Sequence, residues 1–260
     1  MVNKNVKDSR NMGRATTSTI LRSPSNSKIT KRSMHATNSS MMDNIPRELL
    51  IEILCRLAHT SFTDIHNAKL SCKDFHEAAE DPCVYQNMSL DNFPLVAWKP
   101  LTKKEEAFFT KCQDCQNPEI PYRQAVLDYF TGKGPKSALA HLQGALNANH
   151  IGALYVTCII LLFSGEDELK ACGMKLMAGM KKSKYVRGKL KEHRDRLKSM
   201  LRTMWVENPA LRRRPVCCTK QDNHRRRSSW EDMVDDADVH CEGCSVDSEI
   251  KFLLDSLPRL

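Results

Sequence analysis

Residues 44–75 read NIPRELLIEILCRLAHTSFTDIHNAKLSCKDF. Pro46 stands at a first helical position, where the N–H that proline lacks is an orphan anyway, and Asp43 or Asn44 is placed to cap. Leu49, Leu50, Ile53, Leu54 and Leu57 follow at i, i+1, i+4, i+5 and i+8, which gathers five branched apolar side chains on one stripe opposite Arg47, Glu48, Glu52 and Arg56. A helix with a buried stripe is expected. Ser61-Phe62-Thr63-Asp64 reads as a capping-box variant opening a second helix, whose apolar positions Ile65, Ala68, Leu70 and Cys72 lead through Lys73 to Phe75. A third short helix through Ala78 and Ala79 should stop at Asp81-Pro82.

Three short amphipathic helices in about forty residues cannot bury all this surface against one another, because units that small are marginal alone. The surplus calls for a partner. Ile45-Pro46-x-Glu48-Leu49-Leu50-x-x-Ile53-Leu54-x-x-Leu57, the Asp64-Ile65 pair and Leu70-Ser71-Cys72-Lys73-x-Phe75 together resemble the F-box. Ile45 stands where that family more often has leucine, a volume-conserving change. The resemblance implies a small helical bundle that docks onto the Skp adaptor of a cullin-based ubiquitin ligase. On it Ile45, Pro46, Leu49, Leu50, Ile53, Leu54, Leu57, Ile65, Leu70, Cys72, Lys73 and Phe75 are adaptor contacts or the packing that shapes them, two roles the sequence does not separate.

The chain has 260 residues, 41% hydrophobic and only 6% aromatic, which favours helix over sheet and leaves room for one or two domains. Its longest apolar run, Ile151 to Phe163, is shorter than the roughly 20 residues a bilayer demands and reads as a buried helix. No charged and then apolar leader opens the chain, so no secretory signal or membrane partner is expected. Eleven cysteines, an odd number without such a signal, imply reduced thiols in cytoplasm or nucleus.

The net charge of +9 is blocked along the chain: +7 over residues 1–40, −5 over 41–91, +1 over 92–180, +13 over 181–227 and −7 over 228–260. Such asymmetry marks segments with different partners, or tails that fold back electrostatically. Residues 1–40 are basic, rich in Ser and Thr and without apolar period, a composition that cannot offset its own ordering entropy. A disordered arm is expected there, with an organelle transit peptide as the alternative. The box is expected over 41–91, followed by a connector over 92–116 with a short helix from Glu105 to Cys115 that presents Phe108 and Phe109.

The next segment, 117–181, repeats itself at an offset of 33: Tyr122 falls on Tyr155, Val126 on Ile159, Phe130 on Phe163, Gly132 on Gly165, Ala138 on Ala171 and Ala145 on Ala178. Helix A carries Tyr, aliphatic and Phe on its buried stripe, Gly breaks the A–B turn, and helix B places small alanines where two backbones approach. In period and positions this is similar to tetratricopeptide-like repeats, especially the Sel-type subclass. Two copies are few for such an array, so the box side or the following helix should cap the stack. Plant-type F-box proteins join the box to such repeats in this order. The resemblance thus implies an all-α chain, a small three-helix box followed by an α-solenoid-like repeat pair.

Residues 182–208 read as a basic helix with Val186, Leu190, His193, Leu197, Leu201 and Met204 inward and Lys189, Lys191, Arg194, Arg196 and Lys198 outward. The tail, 209–260, is Arg-rich and then acidic and is expected to be largely irregular, with Arg212–Arg214 and Arg225–Arg227 spaced like a bipartite import signal. No phosphate loop, His-Glu-x-x-His or nucleophile elbow occurs, so catalysis is not expected. Structural zinc in the tail is the one cofactor to weigh: Cys217 or Cys218 with Cys241, Cys244 and His224 or His240 offers a tetrahedral set, against unligated thiols. Cys112-x-x-Cys115 is a weaker half-site.

The expected function is a non-catalytic subunit that binds the Skp adaptor, and through it a cullin, by its box and an unknown target protein by its repeats. The alternatives are a repeat scaffold with an idle box, or a nucleic-acid-associated protein using residues 181–227, to which acidic residues Glu231 to Asp238 are unfavourable.

Overall fold

The computed structural model describes residues 45–97, 99–205, 214–218 and 241–258; the arm over 1–40, Arg212, Arg213 and the cluster Arg225–Arg227 lie outside them. All regular structure among the described residues is helical. Helix α1 spans Arg47–Thr60, α2 Phe62–Ser71 and α3 Lys73–Ala78. Pro46 is the N-cap residue in extended backbone (φ −55°, ψ 139°), one place before the N1 position expected of it, and its carbonyl accepts the first helical bond from Leu50. The Ser61 hydroxyl accepts from the Asp64 N–H at 3.1 Å, the cap expected for α2. Asp81-Pro82 does stop α3, and the same pair starts a further helix: Asp81 caps Cys83 N–H, and Pro82 opens α4, Pro82–Gln86. The box therefore has a fourth helical turn beyond the three expected.

The core of the box is completed from within the chain. Helix α5, Lys103–Asp114, opens on a capping box of Thr102 and Glu105 and brings Phe108 and Phe109 against Phe62 and Phe93. Ring centroids 5.0 to 5.8 Å apart, mostly edge to face, match the quadrupole preference of aromatic pairs. Leu54, Ala58, Ile65, Val84, Leu90 and Cys112 form the buried centre. Glu80 ties the layers by ion pairs with Lys69 of α2 and Lys111 of α5 and by a bond from the Tyr85 hydroxyl at 3.0 Å. Burial acts to raise the Glu80 carboxyl, but the Lys111 and Lys69 hydrogen bonds outweigh it and hold it at about 2.

The repeats follow as α6 (Glu119–Phe130), α7 (Pro135–Asn147), α8 (Ile151–Leu162) and α9 (Asp167–Lys182). The offset of 33 holds for the backbone signals as well as for the side chains. Left-handed residues recur at Gln116 and Asn149 before helix A (φ 58° and 57°) and at Gly132 and Gly165 after it (φ 83° and 82°). The residue after the first pair caps helix A in both copies, Asn117 through Oδ1 to the Glu119 N–H and His150 through Nδ1 to the Ala153 N–H. Tyr122, Val126, Phe130, Tyr155 and Ile159 are all buried, while Phe163 is half-buried.

Helix B departs from the expected register. Ala138, Leu142 and Ala145 are buried in α7, yet their counterparts in α9 are Gly173, Met177 and Met180, an offset of 35. Two residues turn a helix by about 200°, so Ala171 faces solvent and Ala178 is only half-buried, contrary to the repeat core expected of them. Gly173 takes the close approach instead: a β-carbon on it would stand 3.1 Å from the Cys158 carbonyl and 3.2 Å from Leu161.

Ser183 ends α9 and caps α10, Lys184–Arg202, so the basic helix starts after a break rather than running on. Leu190, Leu197, Leu201 and Met204 are buried against the repeats, with Val186 half-buried. Gly152 lets α10 lie on α8, since a β-carbon there would meet His193 Nδ1 at 2.9 Å. His193 stacks edge-on with His150, and burial together with that neighbour holds its imidazole down to about 4. Neither α8, the apolar run of the sequence, nor any other described helix is long and apolar enough to cross a membrane.

The tail, expected to be largely irregular, contains helix α11, Glu242–Leu254. Val246, Ile250 and Leu253 join the repeat core, so this segment has the hydrophobic stripe that its acidic composition obscured. Glu249 is buried, accepts from the Tyr155 hydroxyl at 3.0 Å and pairs with Arg194 at 2.9 Å. The Arg194 guanidinium also lies 3.4 Å over the Phe252 ring, with Lys198 at 4.8 Å. Part of the cationic face of α10 is therefore occupied by the chain's own acidic end.

Candidate functional site

The apolar residues of the box divide into two sets that helical pitch alone could not sort. Leu50, Leu54 and Ile65 are buried, and Leu57 and Phe75 half-buried. Leu49 and Ile53, one turn apart on α1, are each 52% exposed; Leu70 at the end of α2 is 72% exposed, and Ile45 is also exposed. Five apolar positions on two adjacent rows made a stripe wider than the core behind it, so one row packs α2, α3 and α4 while the other faces outward. Pro46 and Lys73 are exposed as well, Cys72 is the half-buried N-cap of α3, and Lys73 reaches Glu77 at 3.5 Å in solvent. What remains outward on the box helices is a set of branched aliphatic side chains among charged ones. It has the make-up of a protein-docking face rather than of a reaction centre.

The far side of the box is fixed to the repeats by buried polar bonds that sequence reasoning missed. Asn117 Nδ2 donates to the carbonyls of Tyr85 at 2.8 Å and Met88 at 2.9 Å, and Arg123 donates to those of Leu90 at 3.1 Å and Phe93 at 2.5 Å. Glu119 and His150 pair at 3.0 Å next to them. Arg123 is 7% exposed and sits on the helix A stripe, one place after the repeat tyrosine; an arginine at that place was the available signal. The bonds convert orphan carbonyls at the end of the box into a rigid junction. Beside it a groove of about 890 Å³ is lined by Gln113, Gln116, Gln124, His141 and Asn147 among others.

In the tail the structure brings together Cys218, Cys241 and Cys244 and leaves out Cys217. Cys218 Sγ lies 3.2 Å from Cys244 Sγ and 3.6 Å from Cys241 Sγ. Cys217 is buried, pushed up to about 11 first by that burial and then by Asp247. His224 and His240 lie outside the described residues. Cys112 belongs to the box core, and it and Cys115 join no metal-ligating group among the described residues.

Comparison with known proteins accords with this layout. Residues 42–91 match the F-box-like family and residues 90–202 the plant tetratrico peptide repeats, so the two matches meet where Asn117 and Arg123 lock box to repeats. F-box protein At2g35280 of Arabidopsis thaliana is 31% identical over 130 residues, covering 50% of this chain and 78% of that protein. Two further F-box proteins of the same plant, At1g67623 and At1g67340, are 25% and 26% identical over 55% and 48% of this chain, and the matches span 47% and 34% of their own lengths. No solved structure matches. With both halves matched in this order, the chain belongs to the plant F-box proteins that carry tetratricopeptide-type repeats behind the box.

Proposed function

We propose that this chain is the substrate-recruiting, non-catalytic subunit of a Skp-cullin-F-box ubiquitin ligase. The observation that carries the reading is the outward pair Leu49 and Ile53 on α1 together with Leu70 on α2, three large aliphatic side chains more than half exposed beside an inner row in which Leu50 and Leu54 are buried. Branched side chains on rigid helices bind a hydrophobic partner at low ordering cost. The Skp adaptor takes this face, the cullin follows through the adaptor, and the repeats hold the target, with the amide-lined groove at the box junction as the candidate contact. The subunit then works by proximity: one chain holding target and ligase raises the effective concentration of target lysines at the charged conjugating enzyme.

Arg194 and Lys198 face α11, and Arg196 pairs with Asp91 at 3.0 Å, which supports a structural role for the α10 cations over a nucleic-acid one. The thiol-rich composition and the Arg clusters support work in cytoplasm or nucleus. Retention of the purified full chain by the purified Skp adaptor tests the reading. Wild type should be held and Leu49→Arg with Ile53→Arg released; failure of the wild type to bind would leave the box structural and the chain a scaffold.

A further inference from the structure

Three sulfur atoms from two distant stretches meet at the N-terminal end of α11. Cys241 is the N-cap of that helix and Cys244 lies one turn in, so Cys-x-x-Cys on a helix start directs both thiols to one side. Cys218, 23 positions earlier, is carried to them by a segment fitted closely against the helix. A β-carbon on Gly243 would stand 2.7 Å from the Cys217 carbonyl oxygen and 2.9 Å from Cys218 Cα, so only glycine admits this segment at such a distance. The Asp247 carboxylate takes the N–H groups of both Cys217 at 2.8 Å and Cys218 at 3.1 Å, fixing which of the adjacent cysteines turns toward the helix.

The spacing suits a metal rather than a disulfide. Sulfurs bound at about 2.3 Å around a tetrahedral ion lie about 3.8 Å apart, and all three sulfurs here lie within 4.8 Å of one another, with Cys218 3.2 Å from Cys244 and 3.6 Å from Cys241. A disulfide can join only two of them and strands the third. Thiolate donors select zinc-class cations over magnesium or calcium.

We propose that Cys218, Cys241 and Cys244 bind one zinc ion that clamps the tail helix onto the repeat stack. Each thiol loses its proton to solvent on binding, and the fourth tetrahedral position is open to water. The clamp adds to the Glu249 contacts and fixes α11 as the C-terminal cap of a repeat pair too short to cap itself. It is independent of adaptor binding by the box.

The test uses the full chain, produced with zinc, reduced and desalted. Native mass spectrometry and elemental analysis should give one zinc per chain, lost in Cys218→Ser, Cys241→Ser and Cys244→Ser and kept in Cys172→Ser, whose thiol is exposed on α9 and is not one of the three clustered sulfurs. Chelation should speed amide hydrogen exchange in α11 at least tenfold and leave α1 to α4 unchanged. Should the serine variants fold poorly, cobalt titration of the metal-free wild type should raise thiolate-to-metal absorption. Folded wild type that carries no zinc and gives no such band would overturn the proposal. So would zinc kept in all three serine variants, or a chain two daltons light under non-reducing conditions that takes up no metal.

Discussion

The hydroxyl of Tyr155 donates to the buried carboxylate of Glu249 at 3.0 Å, joining the helix A tyrosine of the second repeat to the tail 94 residues farther on. Tyr122 holds the same place in the first repeat and is equally buried, but no described residue takes its hydroxyl. Two tyrosines alike in sequence thus differ in energy. Tyr155→Phe should cost about 1.5–3 kcal/mol by removing a hydrogen bond to a charged group, whereas Tyr122→Phe should be neutral or stabilising. Urea unfolding followed by circular dichroism measures both, and equal losses would contradict the assignment.

Glu249 makes a sharper case. Glu249→Ala removes a buried partner of Arg194 and the acceptor of the Tyr155 hydroxyl together. A loss of about 3–5 kcal/mol is expected, as for breaking one side of a buried pair. Exchange protection of α11 should disappear before that of α1.

The two rows of α1 predict opposite phenotypes. Leu54→Ala, at a position with no exposure, should cost about 2–5 kcal/mol. Leu49→Arg or Ile53→Arg, at half-exposed positions, should change stability by less than about 0.5 kcal/mol while abolishing adaptor retention. Loss of stability in the outward pair would show that row to be packed rather than docking.

At Gly152 the space for a side chain is already filled by His193 and His150. Gly152→Ala gains about 1 kcal/mol of helix propensity but overpacks the α8–α10 contact, which typically costs 1–3 kcal/mol. A net loss is expected, with His193→Ala in the same chain restoring part of it.

Acid acts on two sites in successive windows that overlap only between about pH 4 and 4.5. His193 is depressed from 6.5 to about 4, so between those values the unfolded chain binds the proton and the folded one does not; stability falls as pH drops through that range, by at most about 1.4 kcal/mol per unit. Glu80 is depressed from 4.5 to about 2, and its contribution, full above 4.5, is lost as pH falls to 2. Urea midpoints at pH 7, 5.5 and 4.5 should decline in wild type and decline less in His193→Gln.

The sequence by itself determined what depends on local pattern: the cap at Ser61, the stop at Asp81-Pro82, the helix A stripe of Tyr122 and Tyr155, and the glycine turns at 132 and 165. Each is set within a few residues, by an orphan N–H that needs an acceptor or a φ that needs glycine. Tertiary structure decided which of two apolar rows on α1 is core, because both have the same spacing and only the volume of α2 to α5 behind them chooses. It moved the inward face of α9 from Ala171 to Gly173, since the approach of α8 and not helix B's own sequence sets that register. It also turned an acidic tail into a packed helix, where Glu249 is buried only because Arg194 and Tyr155 reach it, and chose Cys218 over Cys217 through Asp247. Contacts between residues 30 to 94 positions apart leave no periodic trace, so the chain had to be folded before they could be read.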